Sequence, residues 1–303
     1  INLTALSYLS ENSAGWLLRC ADCAVIEWHE DDWRFSHDKF RDYLIQRLST
    51  ESLQVAHQCV AEILDQQPIQ PIHGNEVSLA YHWGMAGNLP KEQHYAMNAG
   101  LQAIANGASK EGITYLTRVL EIGGLSKNQE ASINYQLALA HYGIANLHLC
   151  LVHCRIALGR LGFKMPTTSV GYISNILKQL SQQHIPPLRA LSRYRGRSQE
   201  DLRLVVQICV HMGQVLFLAG KRLETVLVSF LAVNLAKKTG KSAELVRAYG
   251  SVTYIYVFIG LFRIAEGYSK KTINIIESIE DSPARAYSYL ISVSYTHLRA
   301  HET

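Results

Sequence analysis

Charge is scarce in this sequence: Asp, Glu, Lys and Arg together make up 18% of 303 residues, and 29 basic against 25 acidic residues leave a net charge of +4. Such a mild balance lacks the clustered positive potential that holds nucleic acid, so nucleic acid is not expected as the main partner. Cysteine is sparse as well. Cys20, Cys23, Cys59, Cys150, Cys154 and Cys209 fall at irregular intervals within apolar helical patterns. That excludes a disulfide framework and suits free thiols in a reducing cytoplasm. Long apolar runs are missing too. The longest uncharged stretch, Ala248 to Phe262, is interrupted by Gly250, Ser251, Thr253 and Gly260 and falls short of the roughly 20 apolar residues a membrane span needs. It is expected to be buried helix, with no membrane partner. No charged segment followed by an apolar one opens the chain. Its start at Ile1 is read as a truncation point. What is abundant is apolar surface, 48% of residues, enough for a continuous core in one extended array or two domains.

The catalytic vocabulary is also thin. A phosphate-binding loop needs G-x-x-x-x-G-K-[ST], because its glycines let the backbone wrap phosphates that the lysine neutralises. Gly240-Lys241-Ser242 has Leu235 where the first glycine belongs, so it reads as a decoy in which Gly240 stops a helix. No G-x-G-x-x-G follows a strand. This chain alone is therefore expected to be neither a nucleotide hydrolase nor an enzyme of another kind, and to hold no cofactor. Cys20 and Cys23 form a lone C-x-x-C, while His148, Cys150, His153 and Cys154 crowd one helix. A closed zinc site needs four converging ligands, so core thiols are the expectation and no metal is assigned. Among 13 histidines, His57, His82, His94, His141 and His211 sit singly in helical patterns. His37-Asp38 differs, standing where a hairpin meets a helix start. Unpaired N–H groups there could hold an anion with help from His37; alternatively Asp38 caps the helix while His37 packs under the hairpin.

In chain order, Leu6, Leu9, Trp16, Leu17 and Cys20 give a loose helical spacing. Ala24 to Trp28 and Trp33 to Ser36 flank His29-Glu30-Asp31-Asp32 as a β-hairpin with a four-residue turn. A hairpin following helices is the wing of a winged-helix fold. Ser36 or Asp38 could cap the next helix, which carries Phe40, Tyr43, Leu44 and Leu48 on one face. Another helix closes before Pro68, and Pro68, Pro71 and Gly74 mark a linker. Beyond it, breaks at Gly107, Asn146, Gly220 and Gly260 recur at intervals of 39, 74 and 40 residues. A period near 40 with one degenerate turn describes stacked helical hairpins. The expected fold is thus mainly α: a small winged-helix-like domain over 1–66, a linker over 67–76, and a tetratricopeptide-like α-solenoid over 77–292. An irregular, partly helical insertion is expected at about 165–199. In it Arg189, Arg193, Arg195 and Arg197 are possible contacts for an anionic partner.

The run Trp33-Arg34-Phe35-Ser36-His37-Asp38-Lys39-Phe40-Arg41-Asp42-Tyr43-Leu44 resembles the F-x-H-D-x-x-R-[ED]-x-L segment of the signal-transduction ATPases with numerous domains (STAND), close to the Met-His-Asp motif of their winged helix. Ala80 to Gly87 and Ala105 to Ala108 resemble the start of their tetratricopeptide-like array. The stretch Ala236 to Tyr249 is similar to bacterial multidomain proteins that join such an ATPase to a class III nucleotide (adenylate) cyclase or a Ser/Thr kinase. Residues 293–303 resemble a translated sequencing adapter and are set aside as an artefactual tail. The resemblance implies a cytoplasmic, non-catalytic regulatory or scaffold fragment whose parent binds ATP or ADP with Mg. Its repeats would take a protein, peptide or small-molecule input and couple it to nucleotide state in the upstream ATPase core, with His37 as nucleotide sensor and Asp38 beside it. Ser36 departs from the motif's apolar first residue, and the nucleotide-binding core itself is absent. The competing class is a DNA-binding transcriptional regulator using the wing, against which Glu27, Glu30, Asp31 and Asp32 place negative charge.

Overall fold

The computed structural model describes residues 13–29, 32–66, 75–184, 197–279, 283–290 and 293. The Pro-containing linker expected at 67–76 lies outside them except for its last two residues, as do all but one residue of the 293–303 tail. The architecture is mainly α, a succession of helical hairpins with one two-stranded sheet. Contacts divide it into two compact units, Ile1–Asn106 with Thr114–Gly123, and Gly107–Ile113 with Gly124–Thr303.

In the first unit α1 (Ser13–Asp22) leads into β1 (Ile26–His29) and β2 (Asp32–Phe35). The antiparallel register pairs Ile26 with Phe35, Glu27 with Arg34, Trp28 with Trp33 and His29 with Asp32. His29 and Asp32 are therefore strand residues and not part of the four-residue turn expected there. The ladder runs one pair beyond Trp28 and Trp33, whose rings meet edge to face 5.3 Å apart, so backbone pairing and not residue polarity sets where the strands end. Leu17 of α1 and Ile26 of β1 are buried. Helix α2 (Asp38–Arg47) follows, then α3 (Thr50–Gln66), α4 (Asn75–Met85), α5 (Leu89–Ala105) and α6 (Ser109–Ile122), within which the division between units falls. Helix α3 packs on α4 through a small core of Ala61, Leu79 and Trp83, edged by Leu64, Ala86 and Tyr95.

The second unit contains α7 (Lys127–Gly143), α8 (Leu147–Arg160), α9 (Ser169–His184), α10 (Gln199–Leu218), α11 (Arg222–Ala236), α12 (Ala243–Phe258) and α13 (Phe262–Ile276), with residues 283–290 also helical. Serines start three of these helices. Ser126 forms a reciprocal capping box with Gln129, while Ser198 and Ser242 accept from Asp201 and Leu245 N–H. The Gly-Lys-Ser fragment is thus the entry to α12, its serine a helix cap. The uncharged run 248–262 is not one helix: α12 stops at Phe258 and the chain turns at Gly260. Helix α10 is long and apolar enough, by length and composition, to cross a membrane. Its Val205, Val206, Ile208, Cys209, Met212, Val215 and Leu216 are fully or almost fully buried because α8, α11 and α12 all pack on it. An apolar circumference is what a central core helix requires. The insertion expected at 165–199 contains a full helix, α9, laid on α11 and tied to it by Asn234 Nδ2 donating to Gln179 Oε1 at 2.8 Å.

The repeat is visible in backbone bonding. Within the four hairpins α4/α5, α7/α8, α10/α11 and α12/α13, as also at the ends of α1 and α8, the helix ends in the same double bond pattern. In the hairpins Asn88, Asn146, Lys221 and Leu261 N–H reach back to Trp83, His141, Leu216 and Tyr256 C=O at 2.8–3.0 Å. The preceding residues, Gly87, Ala145, Gly220 and Gly260, bond three positions back and have positive φ. This is the Schellman ending, which satisfies orphan carbonyls at the cost of one left-handed residue. Three of the four use glycine. The fourth is Ala145, φ +58°, not the neighbouring Asn146, which caps α8 through its side chain. Ala145→Gly is expected to raise stability by about 0.5–1 kcal/mol, as relief of left-handed strain outweighs the added chain entropy. An unchanged or lower urea midpoint for the variant would refute this.

Candidate functional site

The first helices of successive hairpins in the second unit, α7, α10 and α12, frame a pocket of about 440 Å³. Tyr135, Gln136 and Leu139 come from α7, Gln207, Val210, His211 and Gln214 from α10, and Glu244 and Arg247 from α12. Helical spacing produces this lining. Gln207, His211 and Gln214 recur at intervals of four and three, so one stripe of α10 faces the pocket while its other faces enter the core.

The polar groups are partly organised. Gln207 Nε2 donates to Glu244 Oε1 at 3.0 Å. Burial pushes the Glu244 carboxyl up, but bonds from Gln207, its own backbone and Ser242, with Arg203 nearby, hold it net below its ordinary value. Burial also pushes the Tyr135 phenol far up, keeping it a neutral hydrogen-bonding group. Arg247 has no carboxylate partner among the described residues. The pocket thus presents a cation, a carboxylate, an imidazole, several amides and a phenol over apolar walls.

Below it lies a thiol and imidazole cluster. His211 Nε2 is 3.6 Å from Cys150 Sγ, and the His211 ring meets Tyr142 edge-on at 5.0 Å. A hydrogen bond from Cys154 and the neighbouring His211 favour the Cys150 thiolate, whereas Cys154 is driven up by Cys150 and by burial. Cys209 is pushed up to about 12 by burial. His153 turns away from the thiols, its Nδ1 donating to Asn134 Oδ1 at 3.0 Å, with its ring stacked on His141 at 5.2 Å. His148 is exposed. Of the four residues crowded on α8 only Cys150 and Cys154 share a face, and no group of three or more metal-ligating side chains converges among the described residues.

His37 is the N-cap of α2, in place of the Ser36 or Asp38 expected from residue type. Its Nδ1 accepts from Lys39 N–H at 3.1 Å. An imidazole nitrogen can fill this role only as an acceptor, through its ring lone pair. Ser36 instead donates back to Val25 O at 3.1 Å, closing the hairpin. Asp38 is the exposed first residue of the helix. Nothing in the described surroundings buries His37 under the hairpin. Arg189, Arg193 and Arg195 lie outside the described residues. Arg197 sits at the end of α8, its guanidinium 4.7 Å above the Phe163 ring and donating to the Leu161 carbonyl. There it closes a helix terminus.

The structure also pairs residues that looked solitary in sequence. His57 of α3 and His82 of α4 share a 2.8 Å Nδ1 to Nδ1 hydrogen bond, and burial holds both below the usual imidazole value. Similarly, Glu92 of α5 is bound by Arg118 of α6 through two contacts, at 2.6 and 3.1 Å, beside a second pocket of about 660 Å³. No local spacing announces either pair, because the partners are 25 and 26 positions apart.

Neither a family model nor a curated protein matches this sequence. Among solved structures, the apo form of the quorum sensor NprR from B. thuringiensis aligns over 93% of this chain and 81% of its own, at 15% identity and a TM-score of 0.35. So loose a superposition carries no argument, and the helical-repeat assignment rests on the recurring hairpins and their identical turns.

Proposed function

We propose that this chain is a regulatory, non-enzymatic repeat fragment that receives a peptide or protein input in the pocket between α7, α10 and α12. The carrying observation is that three successive first helices converge polar side chains there, Gln136, Gln207 and Gln214 with Arg247, Glu244 and His211, over apolar walls. Amide side chains match main-chain peptide groups, and Arg247 matches a carboxylate. The parent in this reading is a cytoplasmic STAND-type ATPase, with the hairpin and α2 as the end of its winged-helix domain. Two features support it: His37 stands at the N-terminus of α2, and the helix buries none of its residues, leaving Phe40, Tyr43 and Leu44 at 43–56% exposure. That face suits cover by an upstream core. ATP or ADP with Mg would belong to that core.

The test is calorimetric titration with a pool of short peptides carrying free C-termini. Binding is expected, and Arg247→Ala is expected to weaken it about tenfold or more, the effect of losing a charge-assisted hydrogen bond. Equal affinity of wild type and variant would place the input elsewhere. Where the ATPase core is restored, His37→Ala should lower ADP retention; retention identical to wild type would dismiss the sensor role.

A further inference from the structure

The turn ends of the hairpins α10/α11 and α12/α13 carry a surface that neither core nor pocket uses. Leu218 is 64% exposed, Phe258 62%, Ile259 58%, Phe217 55% and Leu261 46%. The Phe217 and Phe258 rings touch at 5.3 Å, so the two turns lie side by side and their apolar tips form one patch. Contiguous exposed apolar surface of this kind marks an interaction site. Residues 217–223 and 257–265 contain no Asp or Glu but include Lys221, Arg222 and Arg263. The flanking acids are already bound, Glu224 by Arg155 and Lys221 and Glu266 by Lys270. Arg222 and Arg263 are exposed and have no carboxylate partner among the described residues.

This charge selects the occupant. A second copy docked by two-fold symmetry would bring the same uncompensated cations into the shared interface. A bilayer with anionic headgroups takes apolar side chains projecting from turn tips into its acyl boundary while cations rest among the phosphates. We propose that this edge is a peripheral docking surface for an anionic lipid bilayer. Phe217, Leu218, Phe258, Ile259 and Leu261 insert, and Arg222 and Arg263 contact phosphate. The contact is interfacial and spans nothing, so it revises the sequence expectation of no membrane partner without requiring a membrane-spanning helix.

The test is co-sedimentation of the whole chain with vesicles of phosphatidylcholine alone or mixed in equal parts with phosphatidylglycerol. Wild type is expected to partition onto the mixed vesicles about tenfold or more above phosphatidylcholine alone. The double variant F217S/F258S should lower that partition about tenfold or more with unchanged circular dichroism, because both rings are already exposed to water. The double variant R222Q/R263Q should abolish the preference for anionic lipid. Failure of wild type to sediment, or equal partition of F217S/F258S, would overturn the proposal. A concentration-dependent dimer that disappears in F217S/F258S, without vesicle binding, would assign the patch to a second copy and overturn it as well.

Discussion

Trp83→Ala is expected to destabilise the first unit by about 3–5 kcal/mol, the range for emptying an aromatic site in a core that only partly collapses. Trp83 is 2% exposed and anchors a cluster whose other buried members are only Ala61 and Leu79. A core so small has little to refill the space. The ring also supports the Lys91 ammonium, 3.9 Å from its centre, a cation–π interaction that alanine cannot make. Trp83→Phe is expected to be far milder. The indole Nε1 is buried with no hydrogen-bond partner among the described residues, so Phe removes an unsatisfied donor along with some packing. Hydrogen exchange read separately over α3, α4 and α5 checks both variants. Protection equal to wild type in Trp83→Ala would show that this ring does not hold α3 on α4. Since α3 follows the His37 segment, that packing is also the route by which the proposed joint would sense the repeats.

Arg118→Ala is expected to destabilise the same unit by about 2–3 kcal/mol, less than for a fully buried pair because the guanidinium is half exposed. The penalty arises chiefly from what remains behind. The Glu92 side chain is 9% exposed and the Arg118 side chain 46%, so deleting the arginine strands a nearly buried carboxylate between α4 and α5. The space is tight there: a Cβ at Gly84 would stand 3.0 Å from Glu92 Cδ. Adding Glu92→Gln to Arg118→Ala should recover about half of the loss or more, since a neutral amide needs less compensation than a charge. Thermal unfolding of the single and double variants decides. A double variant no more stable than Arg118→Ala would show that poorer packing, and not the orphaned charge, is responsible.

Much of the fold was legible because it is local. The spacing of apolar residues announced the helices, and Gly107, Gly220 and Gly260 announced three turns through the one property glycine alone supplies freely, positive φ. Ala145 broke that rule, and alignment by residue type consequently settled on Asn146. The hairpin was placed correctly but its ladder runs one pair further, to His29 and Asp32, because two polar residues read as turn by type whereas backbone pairing holds them in the strands. The cap of α2 was assigned to Ser36 or Asp38 because imidazole is an uncommon cap. Which side chain reaches the N–H of Lys39 depends on the local backbone and not on residue frequency.

The sequence by itself determined a mainly α chain of recurring hairpins, the turns at Gly107, Gly220 and Gly260, a two-stranded element before α2, and the absence of the common phosphate-binding motifs. These follow from interactions within a few residues, where spacing and geometry are tied together. Only the tertiary structure decided which faces meet. It gathered Tyr135, His211 and Arg247 around one pocket and set His211 on Cys150. It placed Arg197 over Phe163 at the end of α8, and brought Phe217 and Phe258 together on the outside. Such meetings depend on how helices stack across long stretches of chain, and the apolar pattern of a single helix carries no record of its neighbours.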